Sequence, residues 1–435
     1  MSRRLQTKPQ AGVIRSELKP FLVLPTEFPE FPMSKLRLVV VGTVASDPYA
    51  GMAWMHMQIT AGLLRLGHDV TYMEVTSTWP YDPARRQRVC DSDYAVPYLA
   101  RVVERFGLAD RWAYRRGYSD GAWLGPRRDG TEERLARADA VFNVTGATRL
   151  DKEGLNVGRL VYLGTDPVLH EVAHARGDQE ARNGFGGYDD AVTYGENIGT
   201  SASPVPPLPR LRARMRQPVL LDLWAAGPPS RREFTTVGNW RQAGLDLEFQ
   251  GETYLWSKHH EFLKFLDVPR QVNGQPIELA TNLGDTSTPN PDEVVGAVSV
   301  EADARRLLTG NGWRLTDAGE FTTDPWRYRD YVQASRGEFT VARDLNVRLR
   351  SGWFSERSAC YLAAGRPVIT QDTGFGTVLP TGAGLFAFNT MDDVLAAFDA
   401  VNSNYARHSR AAREIAEEYF RAETVLAKLL DDLEL

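Results

Sequence analysis

One stretch of this 435-residue chain decides its fold: Ser351-Gly-Trp-Phe-Ser-Glu-Arg-Ser-Ala-Cys-Tyr-Leu-Ala-Ala-Gly-Arg-Pro-Val-Ile-Thr370. Ser355 is suited to cap a helix, and Glu356 suits the positive first turn of that helix. Gly365 predicts where the helix ends, and Pro367 prevents its continuation. A short apolar run follows the proline and predicts a buried strand. The order loop, helix, glycine and strand is typical of an α/β protein.

The same segment predicts an anion site. Backbone N–H groups in the first turn of a helix lack partners, and the positive end of the helix dipole attracts negative charge. The loop before Ser355 is small, with Ser351 and Gly352, and could admit a ligand to these groups. An ordinary connection between helix and strand is the simpler alternative.

Size and composition indicate a globular protein of two domains. The chain has 43% hydrophobic and 25% charged residues, and its length allows two cores of ordinary size. No apolar run reaches the roughly 18 to 20 residues that cross a bilayer, and no secretory signal is recognisable. The net charge of -5 argues against a protein that coats nucleic acid. Cys90 and Cys360 are too few for a disulfide framework, so a cytoplasmic location is expected.

Short apolar strands alternate with helices through residues 35–215 and predict a Rossmann-like domain. The run Leu36-Arg-Leu-Val-Val-Val41 is typical of a buried parallel strand. Later predicted strands end in small or polar residues, Asp166 and Glu196 among them. Because ligands of open α/β sheets bind at the carboxyl ends of the strands, these positions predict a cleft.

The alternation returns after a proline-bearing stretch. Residues 216–233 are predicted as a linker, residues 234–405 as a second Rossmann-like domain, and residues 406–435 as a C-terminal helix. Residues 1–34 are predicted as an N-terminal arm. The expected fold class is therefore α/β, with two Rossmann-like domains and a cleft between them.

A family resemblance lies within the opening stretch. Tyr361-Leu-Ala-Ala-Gly-Arg-Pro-Val-Ile369 resembles the E-Y-L-A-A-G-x-P-V-I signature of GT-B glycosyltransferases, most closely the group 1 branch and its relatives. The resemblance implies GT-B architecture, a nucleotide diphosphate sugar as co-substrate, no other cofactor and no bound metal. It also implies that residues 35–215 bind the acceptor and that residues 234–405 bind the nucleotide sugar. In that family the helix receives the donor diphosphate, and a pair of glutamates supports the donor. Here Gly352 and Cys360 occupy those two places, and Glu356 is the nearest carboxylate.

The predicted donor-binding groups lie in the second domain. Gly238 and Asn239 follow its first predicted strand, where a backbone without a Cβ can approach a phosphate closely. Arginines near the signature helix suit phosphate oxygens through a planar fork of donors. The loop after the next strand corresponds to one that touches the donor sugar in the family. The full set is Gly238, Asn239, Arg343, Gly352, Ser355, Glu356, Arg357, Asp372, Thr373, Gly374 and Phe375.

Three acid–base candidates lie in the first domain: Asp166, His56 and Glu196. Asp166 is preferred because it follows a predicted strand. His56 lies in a predicted helix among methionines and a tryptophan, where packing explains it equally well. An inverting transferase needs a base at the acceptor hydroxyl, whereas a retaining enzyme can use the leaving phosphate, and the sequence leaves both open.

A possible zinc pattern is also present. His170-Glu-Val-Ala-His174 matches H-E-x-x-H, which on a helix places two imidazoles on one face and Glu171 beside them as a general base. A zinc hydrolase is therefore an alternative function. The pattern is short and follows a strand of a predicted doubly wound sheet, so histidines facing the cleft or solvent are the simpler interpretation. No metal site is predicted.

These observations predict a glycosyltransferase of the hexosyltransferase type. It would move a sugar from a nucleotide-sugar donor to a hydroxyl of a small-molecule or glycan acceptor in the cleft, without a nucleic-acid partner. Two further alternatives remain open: a sugar-nucleotide epimerase of the same fold, and a catalytically silent nucleotide-sugar-binding protein. The second is motivated by Gly352 and Cys360, which stand where the family usually has carboxylates.

Overall fold

Two parallel sheets with helices on their faces organise the chain. The computed structural model describes residues 35–146, 148–242, 244, 246–272, 274–282 and 294–435, and the predicted arm at residues 1–34 lies outside them. The strands are β1 Arg37–Val41, β2 Asp69–Thr76, β3 Tyr81–Asp82, β4 Gln87–Arg88, β5 Trp112–Arg116, β6 Trp123–Leu124, β7 Ala140–Val144, β8 Leu160–Gly164, β9 Asp190–Thr193, β10 Leu211–Arg214, β11 Phe234–Val237, β12 Leu247–Phe249, β13 Glu252–Tyr254, β14 Ile277–Thr281, β15 Arg314–Asp317, β16 Gly337–Thr340, β17 Val368–Gln371 and β18 Leu385–Phe388. The helices are α1 Ala50–Arg65, α2 Ala95–Arg105, α3 Thr131–Arg137, α4 Leu169–Ala175, α5 Gln179–Phe185, α6 Leu221–Trp224, α7 His259–Lys264, α8 Val268–Gln271, α9 Val294–Gly310, α10 Pro325–Ala334, α11 Asp344–Arg348, α12 Glu356–Ala363, α13 Met391–Ser403, α14 Tyr405–Tyr419 and α15 Ala422–Asp432, with 3₁₀ turns at Ala318–Glu320 and Phe375–Thr377.

The strand order of both sheets is that of a doubly wound fold. The first sheet runs β10-β9-β8-β7-β1-β2-β5-β6, and the second runs β15-β14-β11-β16-β17-β18. Neighbouring strands are parallel except for β6, which is antiparallel to β5. The order reverses between β1 and β7 in the first sheet and between β11 and β16 in the second, and such points are where open α/β sheets bind ligands. The predicted α/β fold class with two Rossmann-like sheets is confirmed.

The opening stretch folds as its residues predict. Ser355 has extended backbone angles at the N-cap of α12, and Gly365 follows the helix with a φ of +68°. That left-handed conformation costs glycine little, which explains why the helix stops there. After Pro367 the chain enters β17, whose four residues are all buried.

The C-terminal segment forms two helices rather than the single helix predicted for residues 406–435. Between α14 and α15 the chain leaves helical geometry at Phe420 and Arg421. The Phe420 carbonyl accepts a hydrogen bond from the Val219 N–H at 2.7 Å, and the Ala422 N–H donates to the Val219 carbonyl at 3.0 Å. These bonds to a distant strand-like segment replace helical ones, which a local sequence pattern does not reveal.

An apolar cluster joins the two halves of the chain. It combines residues from the first half with residues beyond the predicted linker: Val168, Val172, Ile198, Val205, Leu247, Tyr254, Leu345 and Leu349. Residues 35–435 form one compact unit, so the domain boundaries at 215 and 234 stay predictions. Among the helices that the structure describes, none is both long and apolar enough to cross a membrane.

Candidate active site

A cavity of about 730 Å³ lies between the carboxyl ends of the two sheets. Thr43 follows β1 and Thr145 follows β7, so the first wall includes the point where the strand order of the first sheet reverses. Gly238 follows β11 and Arg343 follows β16, so the opposite wall includes the corresponding point of the second sheet. A cavity at these two positions is the expected ligand site of the fold.

The wall formed by the second sheet is positively charged. Lys258, Arg343 and Arg357 all line the cavity. Burial, together with the positive charges of Arg357 and Arg343, lowers the pKa of Lys258 to about 7. The Lys258 ammonium also lies 5.5 Å from the centre of the Trp353 ring. A bound anion would offset the repulsion among these cations.

Arg357 is held largely by the protein itself. Its side chain pairs through Nε with the fully buried Glu338, and it donates to the Val237 carbonyl at 2.7 Å and to the Thr340 hydroxyl at 3.0 Å. A guanidinium group has five N–H donors, so these contacts leave it limited capacity for a ligand. Arg357 therefore contributes to the structure of the wall as well as to its positive charge.

The N-terminus of α12 opens toward the same wall. The N–H groups of Glu356, Arg357 and Ser358 make no backbone hydrogen bond with the part of the chain that the structure describes. Ser355 lines the cavity, and its hydroxyl does not cap the helix. A Cβ built on Gly238 would meet no atom within 4 Å, so this turn leaves open space beside the helix end. The arrangement suits a phosphate group.

Glu356 is the carboxylate of this wall, and Cys360 lies behind it. Glu356 accepts hydrogen bonds from the Gln58 amide at 2.9 Å and from the Cys360 thiol at 3.2 Å. Burial raises the pKa of Glu356 to about 7. Cys360 is fully buried in the packing between α1 and α12, so its thiol does not take the place of the family carboxylate at the cavity surface.

Asp166 lines the opposite wall in a turn with unusual backbone geometry. Val168, two residues later, has a φ of +96°, which strains a β-branched residue. The Glu171 carboxylate accepts the Val168 N–H at 2.7 Å, and this bond holds the turn. Asp166 forms an ion pair with Arg343 across the cavity. The turn thus presents one carboxylate to the cations of the other wall.

The remainder of the first wall is rich in aromatic and thioether side chains. Tyr49 and Tyr81 stack with ring centres 5.7 Å apart, and both line the cavity. Met52 and Met55 line it as well and are partly exposed, whereas Trp54 on the same helix is fully buried. The Met and Trp cluster of α1 therefore divides between the cavity and the core.

Two of the predicted acid–base residues do not line the cavity. His56 is fully buried, its Nδ1 atom lies 2.7 Å from the Met52 carbonyl oxygen, and burial lowers its pKa to about 4. A Cβ on Gly42 would lie 2.1 Å from the His56 ring, which shows how tightly the ring is packed. Glu196 forms an ion pair with Arg216 at 2.6 Å. Packing therefore accounts for the position of the His56 ring, although its buried Nε2 atom has no hydrogen-bond partner among the described residues, and ion pairing accounts for Glu196.

The predicted donor loop also lies outside the cavity lining, where it helps join the two halves. The side-chain amide of Asn197 donates to the Gly374 carbonyl at 3.0 Å. A Cβ on Gly352 would lie 2.7 Å from the backbone nitrogen of Asn197. Asp372 accepts the Gly374 N–H at 2.7 Å, and the Phe375 ring is buried. Thr373 donates its hydroxyl to the Trp353 carbonyl at 2.5 Å. Gly352 and residues 372–375 thus serve close packing at this junction.

Of the predicted site residues, the cavity brings together seven: Asp166, Gly238, Asn239, Arg343, Ser355, Glu356 and Arg357. It also includes His170 of the H-E-x-x-H pattern. Glu171 of that pattern is buried and committed to the Val168 N–H, and both histidine rings pack against Phe185. No group of three or more His, Cys, Asp or Glu side chains within the described ranges is arranged to hold a metal ion.

Solved structures share this fold at low sequence identity. An alpha-glucosyltransferase in complex with UDP and a 13-mer DNA superimposes with a TM-score of 0.55 and 10% identity, covering 93% of this chain and 100% of the other. HepE from Anabaena, in complex with UDP and glucose, gives a TM-score of 0.52 and 11% identity over 92% of this chain and 99% of the other. The chain has the GT-B fold. No family model matches the sequence, and no curated protein matches it either.

Several residues that line this cavity are not predicted from the sequence. Lys258 was the most consequential omission, since a single lysine before a short helix has no local signature. Tyr49 and Tyr81 were missed because the hairpin β3–β4 brings Tyr81 back beside α1. Only tertiary contacts assemble these positions.

Proposed function

We propose that the chain is a glycosyltransferase that moves a sugar from a nucleoside diphosphate sugar to a hydroxyl acceptor inside this cavity. The observation that carries the proposal is the meeting of Lys258, Arg343 and the free N–H groups of α12 at the point where the strand order of the second sheet reverses. UDP is bound in both GT-B structures described above, which supports a uridine nucleotide as the first donor to test.

The positive wall has a direct chemical role in this proposal. Glycosyl transfer releases a nucleoside diphosphate, and negative charge grows on its oxygens as the bond to the sugar breaks. Positive groups already in place stabilise that charge in the transition state and lower the barrier. Arg343 retains a buried Nε atom without a hydrogen-bond partner in the described chain, so it has a donor to spare. Because these cations can neutralise the diphosphate, the proposal includes no metal, and activity should persist in EDTA.

The acceptor is proposed to enter along the first wall. Tyr49, Tyr81, Met52 and Met55 offer a surface on which a glycan or small molecule could lie. Asp166, at the end of β8, is the proposed contact for the acceptor hydroxyl. A cytoplasmic setting remains part of the proposal and fits two free cysteines, one exposed and one buried.

A donor panel tests the proposal. Wild-type protein is incubated with UDP-, GDP-, ADP- and dTDP-sugars, and binding, donor hydrolysis and transfer to an acceptor library are measured. Lys258→Ala should weaken donor binding by about 1.5 to 3 kcal/mol, as expected for one lost charge-assisted hydrogen bond. The matched control is Lys264→Ala, which removes an exposed lysine that pairs with Glu261 on the same helix, α7.

The outcome of the panel separates the alternatives. Sugar transfer supports the glycosyltransferase. Interconversion of the donor sugar without transfer would favour an epimerase, and binding without any turnover would favour a silent nucleotide-sugar-binding protein. Failure of every donor to bind would contradict all three.

A further inference from the structure

The ion pair between Asp166 and Arg343 joins the two walls of the cavity. Asp166 follows β8 of the first sheet, and Arg343 stands at the N-cap of α11, after β16 of the second sheet. The Arg343 side chain is largely buried, with 12% of its surface exposed, and the Asp166 side chain is 38% exposed. The pair therefore places a negative group of the proposed acceptor wall on a positive group of the proposed donor wall.

Arg343 does not depend on Asp166 for its position. Its guanidinium carbon lies 3.7 Å from the centre of the Trp256 ring, and Nη2 donates to the Gln242 side-chain oxygen at 3.2 Å. Both contacts come from the second half of the chain. Arg343 can consequently exchange one anion for another while its guanidinium stays in place.

Both members of the pair have unused hydrogen-bonding capacity. The Oδ1 atom of Asp166 and the Nε atom of Arg343 are buried and have no hydrogen-bond partner in the described residues. Such atoms are costly to leave unmet, so a ligand that satisfies them gains affinity. The ion pair therefore leaves one polar atom of each side chain without a hydrogen bond among the described residues.

The surroundings favour a stronger anion than a single carboxylate. Lys258 and Arg357 line the same wall as Arg343, so three cations face the cavity there. A diphosphate carries several charged oxygens and can bind more than one of these cations at once. It would therefore compete effectively with Asp166 for the guanidinium of Arg343.

We propose that a bound nucleoside diphosphate takes Arg343 from Asp166, and that Asp166 becomes available to the acceptor hydroxyl only after the donor has bound. The inference rests on the proposed function for the identities of donor and acceptor. It assigns Asp166 two successive partners: the Arg343 guanidinium in the free protein and the acceptor hydroxyl in the loaded protein. The exchange keeps the carboxylate paired until a donor is present.

Calorimetry with UDP tests the exchange. Asp166→Asn removes the competing charge while keeping the shape of the side chain, so UDP should bind about three- to tenfold more tightly than to wild type. Asp47→Asn is the matched control. Asp47 also lines the cavity and pairs with an arginine, but its partner is Arg88 on the first wall, at 2.9 Å. Its substitution should change UDP affinity by less than about twofold.

A second ligand separates charge competition from a general change in the cavity. Uridine lacks phosphates, so its affinity should be the same for wild type and Asp166→Asn. Equal UDP affinity in wild type and a folded Asp166→Asn variant would overturn the exchange while leaving the proposed function intact. If Asp47→Asn tightened UDP binding equally, the exchange would also be overturned. The effect would then come from the overall negative charge of the cavity and not from the ion pair of Asp166 with Arg343. If neither wild type nor Asp166→Asn binds UDP, the proposed uridine donor and the exchange both fail.

Discussion

Lys258 is the residue whose charge depends most on what occupies the cavity. Loss of solvation and the nearby Arg357 and Arg343 charges lower its pKa to about 7, so in the free protein it is only partly protonated at neutral pH. A diphosphate beside it would favour the charged form and raise the pKa. Binding should therefore be coupled to proton uptake by this lysine.

The pH dependence of UDP binding follows from this coupling. The lysine loses its proton as the pH rises through about 7, so UDP affinity should fall by up to roughly tenfold per pH unit between about pH 7 and 9. Lys258→Arg should remove the lysine's share of this dependence, because guanidinium stays charged throughout that range. The share that remains should come from Glu356, which lines the same wall and also has a pKa of about 7. Calorimetry in buffers of different ionisation enthalpy measures both affinity and proton uptake. Lys264→Arg should behave as wild type, and a pH-independent wild type would remove Lys258 from the site.

Arg357 is expected to matter more for folding than for binding. Arg357→Ala would leave the Glu338 carboxylate buried without its partner, so the free energy of unfolding should fall by about 3 to 5 kcal/mol. Urea unfolding measures this change. Arg350→Ala, which removes a half-exposed arginine 3.4 Å from Asp372, should cost less than about 1 kcal/mol. If the Arg357→Ala protein were as stable as wild type but bound UDP more weakly, Arg357 would matter for binding and not for folding.

At the scale of elements, the sequence predicts best what neighbouring residues determine together. Helix α12 and strand β17 were predicted because Gly365 and Pro367 act on their own backbone, and Ser355 lies at the N-cap although its hydroxyl makes no cap hydrogen bond. The positively charged wall was predicted in part for the same reason, because Ser355 and Glu356 lie at the N-terminus of α12. Lys258 could not be found this way, because it reaches the wall from before α7 through tertiary packing.

Some residues predicted for the site lie outside the cavity lining because long-range contacts hold them elsewhere. The loop at residues 372–375 has the composition of a ligand-binding turn, but Asn197 from the other half packs against it. His56 has the right chemistry for a base, but α1 turns it into the core beside Gly42. Neither contact has a counterpart in the local pattern of residues.

Helix α1 is joined to two other helices through Gln58. The Gln58 oxygen accepts hydrogen bonds from the Leu220 N–H at 3.1 Å and the Trp224 indole at 3.0 Å, and its amide donates to Glu356 at 2.9 Å. Gln58 is fully buried. One side chain therefore satisfies polar groups of α1, α6 and α12 at once.

Removal of this side chain should destabilise the protein. Gln58→Ala leaves two buried donors without partners and removes one of the two hydrogen bonds to the Glu356 carboxylate, so the free energy of unfolding should fall by about 2 to 4 kcal/mol in urea titration. Gln179→Ala, an exposed glutamine that donates to Asn183 on α5, should change it by less than about 0.5 kcal/mol. A loss below about 1 kcal/mol for Gln58→Ala would show that water replaces these bonds.

At the scale of the whole molecule, the two sheets are already held together without a ligand. Asn197 donates to the carbonyls of Arg350 and Gly374, the Ser203 hydroxyl donates to the Leu349 carbonyl at 2.7 Å, and the Trp353 indole donates to the Thr165 carbonyl at 3.0 Å. The apolar cluster described above adds to these bonds. These contacts therefore hold the two halves of the chain against each other.

Small-angle scattering tests this arrangement. The radius of gyration should change by less than about 1 Å when UDP saturates the wild-type protein, against an expected value of roughly 22 Å for a compact chain of this length. Asn197→Ala should weaken the junction, so that its free form is larger and contracts with UDP. Contraction of wild type by several ångströms would show that the free protein is open in solution.

The most direct measurement is a crystal structure of the wild-type protein with UDP. The diphosphate should lie between Gly238 and the N-terminus of α12, within about 2.7 to 3.2 Å of donors on Lys258 and Arg343, with Asp166 released from its ion pair. UDP bound outside the cavity, or with its diphosphate against Tyr49 on the first wall, would contradict a donor site on the second sheet.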